Sequence, residues 1–228
     1  MSAPVTVFAL RRDGFTNAID LNLKNAPAGF SLSGAKIAAG QDKAQFTLKA
    51  PAQPAEKPVA LTIEGRAQID GKTISRTAAP AEDMMQAFIY RHLVPSKELA
   101  VMVSGQPRPM LRDAFKITSP TPVKIPVGGI VRVKVTAPPG NNFFERFELA
   151  LENAPEGITL TNVTPTAGGL ELAFACDADK VKPGTSGNLI CSVMPKILAA
   201  NNPQKKNNQV KRAAAATLPA IPFTITAQ

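Results

Sequence analysis

Asn25-Ala26-Pro27-Ala28-Gly29 and Asn153-Ala154-Pro155-Glu156-Gly157 are one turn written twice, 128 residues apart. Working outward from it, the offset holds on both sides without a gap. Val5 and Val7 match Val133 and Val135, Phe15 matches Phe143, and Leu21 and Leu23 match Leu149 and Leu151. Downstream, Leu32 matches Leu160, Gly40 matches Gly168, Phe46 matches Phe174 and Leu61 matches Leu189. The matches fall mostly on apolar and turn positions, which is what a repeated structural unit requires.

The residues around the turn alternate. Ile19, Leu21 and Leu23, and then Phe147, Leu149 and Leu151, are separated by more polar residues, the period of a half-buried strand. Proline then presets φ at the second position of a turn and glycine suits the fourth position of a type I turn. Phe30 and Leu32 resume the alternation, as do Ile158 and Leu160. Ala44, Phe46 and Leu48 predict a further strand, matched by Leu170, Leu172, Phe174 and Cys176. The run from Val59 to Ile69 breaks at Asp70-Gly71 and resumes at Lys72-Thr73-Ile74-Ser75, a strong hairpin signal. In the second copy the hairpin is longer, with Asn201–Asn208 at its tip. Leu99, Val101 and Val103 close the first copy, and Ile221, Phe223 and Ile225 the second.

About seven strands in about 100 residues, with turn signals every 8–12, predict a Greek-key sandwich. The fold class is therefore all-β, as two tandem immunoglobulin-like sandwiches, residues 1–106 and 107–228. The boundary is placed in Gly105–Pro109, or as late as Pro126, and the intervening prolines predict a stiff connection. Ala81–Phe88 alone has helical character and is read as one short helical turn.

Composition agrees. Twenty-one prolines and fifteen glycines favour many turns over long helices, because proline inside a helix costs about 3 kcal/mol. The net charge is +9, spread over both halves, with one cluster at Lys205, Lys206, Lys211 and Arg212. Such a surface attracts polyanions in general. No apolar run reaches membrane-spanning length. The N-terminus shows no signal peptide, and strand-like sequence begins at Val5. Met1 is read as an artificial start within a longer protein, the alternative being an ordinary cytoplasmic chain.

The runs Arg12-Asp13-Gly14-Phe15, Ile19-Asp20-Leu21, Ala26-Pro27-Ala28-Gly29 and Glu64-Gly65-Arg66-Ala67, followed by Arg76-Thr77-Ala78, resemble immunoglobulin-like modules of large secreted bacterial proteins. Such modules often stand beside bacterial pre-peptidase C-terminal domains. The resemblance covers residues 5–104 well and the second copy more loosely, since the Arg-Asp-Gly-Phe run is missing there. It implies a non-catalytic module, extracellular or periplasmic, and offers no binding residues to carry over.

Residues with chemical potential are few. His92 is the single histidine; a triad needs it near a nucleophile and an acid, and no nucleophile-elbow motif is present. It is read as a structural or surface residue. Cys176 and Cys191 take the places of Leu48 and Ile63, which are inward-facing positions. Two readings stand: a disulfide between adjacent strands, stabilising by about 3 kcal/mol in the chain-entropy model, or two reduced core thiols. With one distant histidine they do not make a structural zinc site. Asp177-Ala178-Asp179 is weighed as a calcium seed against solvated loop carboxylates, and lacks the distal glutamate such a loop needs. No phosphate-binding or dinucleotide glycine motif occurs. No cofactor is expected.

The expected function is a structural or interaction module, a spacer or adhesive segment without turnover. Its partners would be neighbouring domains of the parent protein, another protein or an anionic polysaccharide. An alternative is a binding module for anionic glycans or surfaces through Lys205, Lys206, Lys211 and Arg212. Nucleic acid is disfavoured, because single-strand binding uses aromatic stacking and the chain has no tryptophan and one tyrosine. A further alternative is a two-domain periplasmic chaperone that donates a strand to a subunit. The near-gapless repeat argues against it.

Overall fold

The computed structural model describes residues 2–85, 90–104, 111, 114–138, 143–196 and 214–227. The described residues are almost entirely strand. In the first half these are β1 (Ser2–Phe8), β2 (Ile19–Lys24), β3 (Ser31–Ser33), β4 (Lys36–Ile37), β5 (Lys43–Lys49), β6 (Val59–Ile69), β7 (Lys72–Thr77), β8 (Ala81–Met85), β9 (Arg91–Pro95) and β10 (Leu99–Val101). They pair as β1-β5-β3, as β10-β6-β2-β4 with β7 also on β6, and as a separate β8-β9 hairpin.

The second half holds β11 (Val123–Pro126), β12 (Ile130–Val135), a short helix α1 (Phe143–Arg146), β13 (Phe147–Glu152), β14 (Ile158–Thr166), β15 (Gly169–Cys176), β16 (Ser186–Pro195), β17 (Ala216–Thr217) and β18 (Ile221–Thr226). Its sheets are β12-β15-β14 and β11-β18-β16-β13, with β17 on β16. The pairing order β1-β5-β3 thus reappears as β12-β15-β14, and β10-β6-β2 as β18-β16-β13. Strands β2 and β13 begin and end 128 residues apart, so the repeat seen in sequence is also a repeat of strand pairing.

Each half buries its own cluster between two sheets, an arrangement consistent with a β-sandwich. Strand β15 alternates without error, with Leu170, Leu172, Phe174 and Cys176 buried and the residues between them half-buried. Facing them are Leu189, Cys191 and Val193 of β16 and Ile221, Phe223 and Ile225 of β18. The first cluster is far smaller: five buried residues, Leu21, Ile37, Ala44, Phe46 and Ile63, against twenty in the second, among the described residues. At about 1.5–3 kcal/mol per large apolar side chain, the first half is the weaker of the two.

The repeated turn forms in both copies, one residue later than expected. Phe30 N donates to Pro27 O at 3.4 Å and Ile158 N to Pro155 O at 3.0 Å. Glycine therefore occupies the third position, where Gly29 and Gly157 have φ of 89° and 79°, as a type II turn requires. The Asp70-Gly71 hairpin forms as read, joining β6 to β7 with Ile69 opposite Lys72. Both turn residues have positive φ, 48° and 75°, the type I′ geometry that matches strand twist.

Two expectations are corrected. Ala81–Met85 is strand, not helix, and runs antiparallel to β9. A one-turn helix fixes several residues for a single hydrogen bond, whereas the ladder pairs the backbone along its length. The proline-rich stretch is not linker to its end: Val123–Pro126 is β11, parallel to β18, and Val123 and Ile125 are buried in the second cluster. Proline is tolerated there because it sits on an edge strand. Leu111 and Phe115 also belong to that cluster, so the second half starts well before Pro126. The expected boundary between residues 106 and 107 lies outside the described residues.

Candidate functional site

His92 lies within β9 opposite Met84 and is exposed; its neighbour Arg91 pairs with Asp83 at 3.2 Å. Asp177 accepts a hydrogen bond from Asp179 N at 3.1 Å and pairs with Lys180 at 3.5 Å, which accounts for its carboxylate as a loop anchor. Among the described residues no three histidine, cysteine or acidic side chains gather closely enough to hold a metal ion. No helix among them is long and apolar enough to cross a membrane. Lys205, Lys206, Lys211 and Arg212 lie outside the described residues.

Cys176 and Cys191 are buried free thiols. They are not on adjacent strands: Cys176 pairs with Ile158 in one sheet and Cys191 with Leu151 in the other. Burial, and secondarily the charge of Glu152, pushes the Cys191 thiol up to about 12. The neutral thiol behaves there as a small apolar side chain.

Three features escaped the sequence reading. The first is a charge cluster on β2 and β6. Glu64, whose side chain is only 10% exposed, receives Arg66 Nε at 2.7 Å and Lys24 Nζ at 3.6 Å. The Arg66 hydrogen bond holds its carboxyl below the usual range, helped by the charges of Arg66 and Lys24 and opposed by burial. Ser192 stands at the matching place in the second copy and is buried.

The second is Arg11. Its guanidinium donates to the carbonyl oxygens of Gln41, Asn17 and Ala38 at 2.8–3.1 Å and stacks over Phe15 at 5.3 Å. The planar fork is suited to this multiple donation, and it ties the loop after β1 to the loop before β5.

The third is the contact between the halves. Asn188, in β16, donates from Nδ2 to Gly34 O at 2.7 Å and to Gln45 O at 2.8 Å. Thr47 Oγ1, buried in β5, donates to Leu218 O at 3.1 Å. Ser2 Oγ donates to Thr217 O at 2.7 Å and accepts from Thr217 N at 3.3 Å. Gly34 has φ of 72°, and a Cβ there would lie 2.7 Å from Ala220 Cβ and from Asn188 Oδ1. Leu218 and Ala220 are buried. The sheet β1-β5-β3 is therefore seated against β16, β17 and the segment entering β18. The sequence signal was faint: Asn188 replaces Ala60 of the first copy, a polar residue amid an apolar strand.

No protein-family profile matches the chain, and no curated protein matches it in sequence.

Proposed function

We propose that the chain is a non-catalytic structural and interaction module of a larger secreted or cell-surface bacterial protein, built as two tandem immunoglobulin-like Greek-key sandwiches that act as one stiff pair. The strand patterning and the resemblance carry the family reading. The contact between the halves carries the stiffness. Asn188 satisfies two carbonyl groups of the other half with one side chain, and Thr47 and Ser2 add three more hydrogen bonds. Each is worth about 0.5–1.5 kcal/mol net, enough together to favour one orientation over a freely hinged pair. Such a pair presents both of its outer faces in fixed register, which is what adhesion by surface contact needs.

Small-angle scattering tests this. The wild-type profile is expected to fit one fixed arrangement, and Asn188→Ala to broaden it. A wild-type profile that requires many orientations overturns the stiff-pair reading. The secreted or surface location is tested by fractionating cells that express the parent protein; recovery only from the cytosol overturns it.

A further inference from the structure

The sheet β12-β15-β14 turns one face to its core and the other to solvent. Val133 and Val135 of β12 are buried in the core, so Arg132 and Lys134 point outward by the alternation of a strand. Arg132 lies opposite Ala173 of β15 and Lys134 opposite Glu171. Across β15 the same rows end on β14, with Thr159 opposite Ala175 and Thr164 opposite Glu171. Residues 116–119 run along the other side of β12, where Ile117 bridges Val135 and Thr118 N donates to Lys134 O at 2.9 Å. Ile117 packs on the core, which turns Lys116 and Thr118 outward.

Lys116, Arg132 and Lys134 are all exposed. Neighbouring cations stand about 7–8 Å apart, by strand rise and by diagonal pairing. The only acid in these strands is Glu171, whose side chain is 22% exposed and pairs with Arg132 at 3.6 Å. Three cations thus share the face with one acid. Strand β13, in the opposite sheet, does the reverse: Leu149 and Leu151 pack on the core, and Glu148 and Glu152 alternate outward.

The equivalent face of the first half is used differently. There β5 meets β16, with Thr47 buried and Gln45 O accepting from Asn188. The 128-residue offset sets Pro4 against Arg132 and Thr6 against Lys134. A face that is neutral where it seats on a sandwich is basic where it is exposed. Seating the basic face on another sandwich would desolvate its charges, which is costly without partners. Nor does the rest of the chain supply those partners: the stretches outside the described residues hold one acid, Asp113, and six lysines or arginines.

We propose that the outer face of β12-β15-β14 binds an acidic polysaccharide. Carboxylate or sulfate groups meet Lys116, Arg132 and Lys134, and sugar hydroxyls meet Thr118, Thr159 and Thr164. The excess positive charge calls for an anion, and the other side chains select its class. A protein partner would centre on large aromatic or aliphatic anchors, and the face offers only Ile130, at one end of β12. Single-stranded nucleic acid would stack on aromatic side chains, and none points outward from these strands. A hydrated, hydroxyl-rich polyanion needs neither. The proposal rests on the reading of the chain as an interaction module and names its partner. The face lies on the opposite sheet from the contact between the halves, so failure to bind leaves the scattering result untouched.

The test titrates the full chain with alginate and with dextran sulfate, the carboxylated and sulfated probes, and with neutral dextran as control. At least one anionic polymer is expected to bind, more weakly as salt is raised, and dextran is not. A variant carrying Lys116→Thr, Arg132→Thr and Lys134→Thr is expected to weaken binding at least tenfold. A second, carrying Lys205→Thr, Lys206→Thr and Lys211→Thr, has the same net charge and is expected to weaken it less than threefold. Threonine suits an exposed strand position, and melting temperature checks that both variants fold. In the wild type, bound polymer is also expected to shield Lys116 and Lys134 from acetylation, read by mass spectrometry. Binding by neither anionic polymer, equal losses in the two variants, or unshielded Lys116 and Lys134 overturns the proposal. Tighter binding of polyglutamate or oligothymidylate than of either polysaccharide overturns it as well, and assigns the face to an acidic peptide or a nucleic acid.

Discussion

Two alanine substitutions measure what the contact between the halves contributes. Gly34 and Gly40 have nearly the same backbone, φ 72° and 73°. Alanine in that left-handed region costs about 1–2 kcal/mol at either place. The surroundings differ: nothing lies within 4 Å of a Cβ at Gly40, whereas at Gly34 it meets Ala220 Cβ and Asn188 Oδ1, each at 2.7 Å. The Ala220 methyl group is buried and rigidly attached to backbone, so it has no rotamer with which to escape. Overpacking of this kind adds about 1–3 kcal/mol. Gly34→Ala is thus expected to lose more stability than Gly40→Ala by that amount, and to change the scattering profile, which Gly40→Ala leaves alone. Guanidinium denaturation followed by far-ultraviolet circular dichroism reads the stabilities. If the two variants lose the same stability to within about 0.5 kcal/mol, the agreement expected of independent sites, the halves do not press together at Gly34. Asn188→Ala removes one of the two clashes, so Gly34→Ala is expected to cost less in the Asn188→Ala background than in the wild type.

Other outcomes follow from single residues. Cys191 in the folded chain is expected to resist a thiol reagent at pH 8 and to react on unfolding; rapid labelling of the native protein at Cys191 contradicts its burial. Because its folded pKa, about 12, exceeds the ordinary 9.0, the unfolded chain loses this proton first, so stability is expected to fall as pH rises from about 9 to 12. Cys191→Ser, monitored by melting temperature across that range, flattens the decline. Glu64 has the opposite sign. Its pKa is lowered from 4.5, so its contribution is present above that value and is lost as pH falls through the folded pKa; Glu64→Gln is expected to soften the acid dependence of the melting temperature below pH 4.5. Phe46→Ala and Phe174→Ala each delete a fully buried ring at about 3–5 kcal/mol. The first is expected to unfold its half at lower denaturant than the second unfolds its own, since the first core is smaller; the reverse order contradicts the core assignment.

What was legible in the sequence was local. Alternation at Leu170–Cys176, the Asp70-Gly71 turn and the Asn-Ala-Pro-x-Gly repeat each carry their geometry within a few residues. Reading failed where local chemistry points two ways. Ala81–Met85 is polar enough to look helical, and every residue in it is exposed, so no buried face announces a strand. Val123–Pro126 hides among prolines that resemble a linker but are harmless on an edge. The site was the least legible part. Asn188 meets Gly34 and Gln45 from 154 and 143 residues away, and no periodicity encodes such a meeting. Arg11 clamps main-chain carbonyls, which leave no mark on side-chain pattern. The charges that Arg132 and Lys134 bring to the second copy became meaningful only once strand pairing showed which face they share.

The hydrogen bonds between Ser2 and Thr217 have a geometric consequence for any longer polypeptide that holds this segment. They place the chain's point of entry against a residue only nine positions before Thr226. At no more than about 3.6 Å per residue, entry and exit at Ser2 and Thr226 are within about 35 Å of each other, whatever the size of the folded mass between them. Flanking sequence would arrive and depart no farther apart than that, however much chain is folded between. Such a segment adds more bulk and surface to its parent than reach.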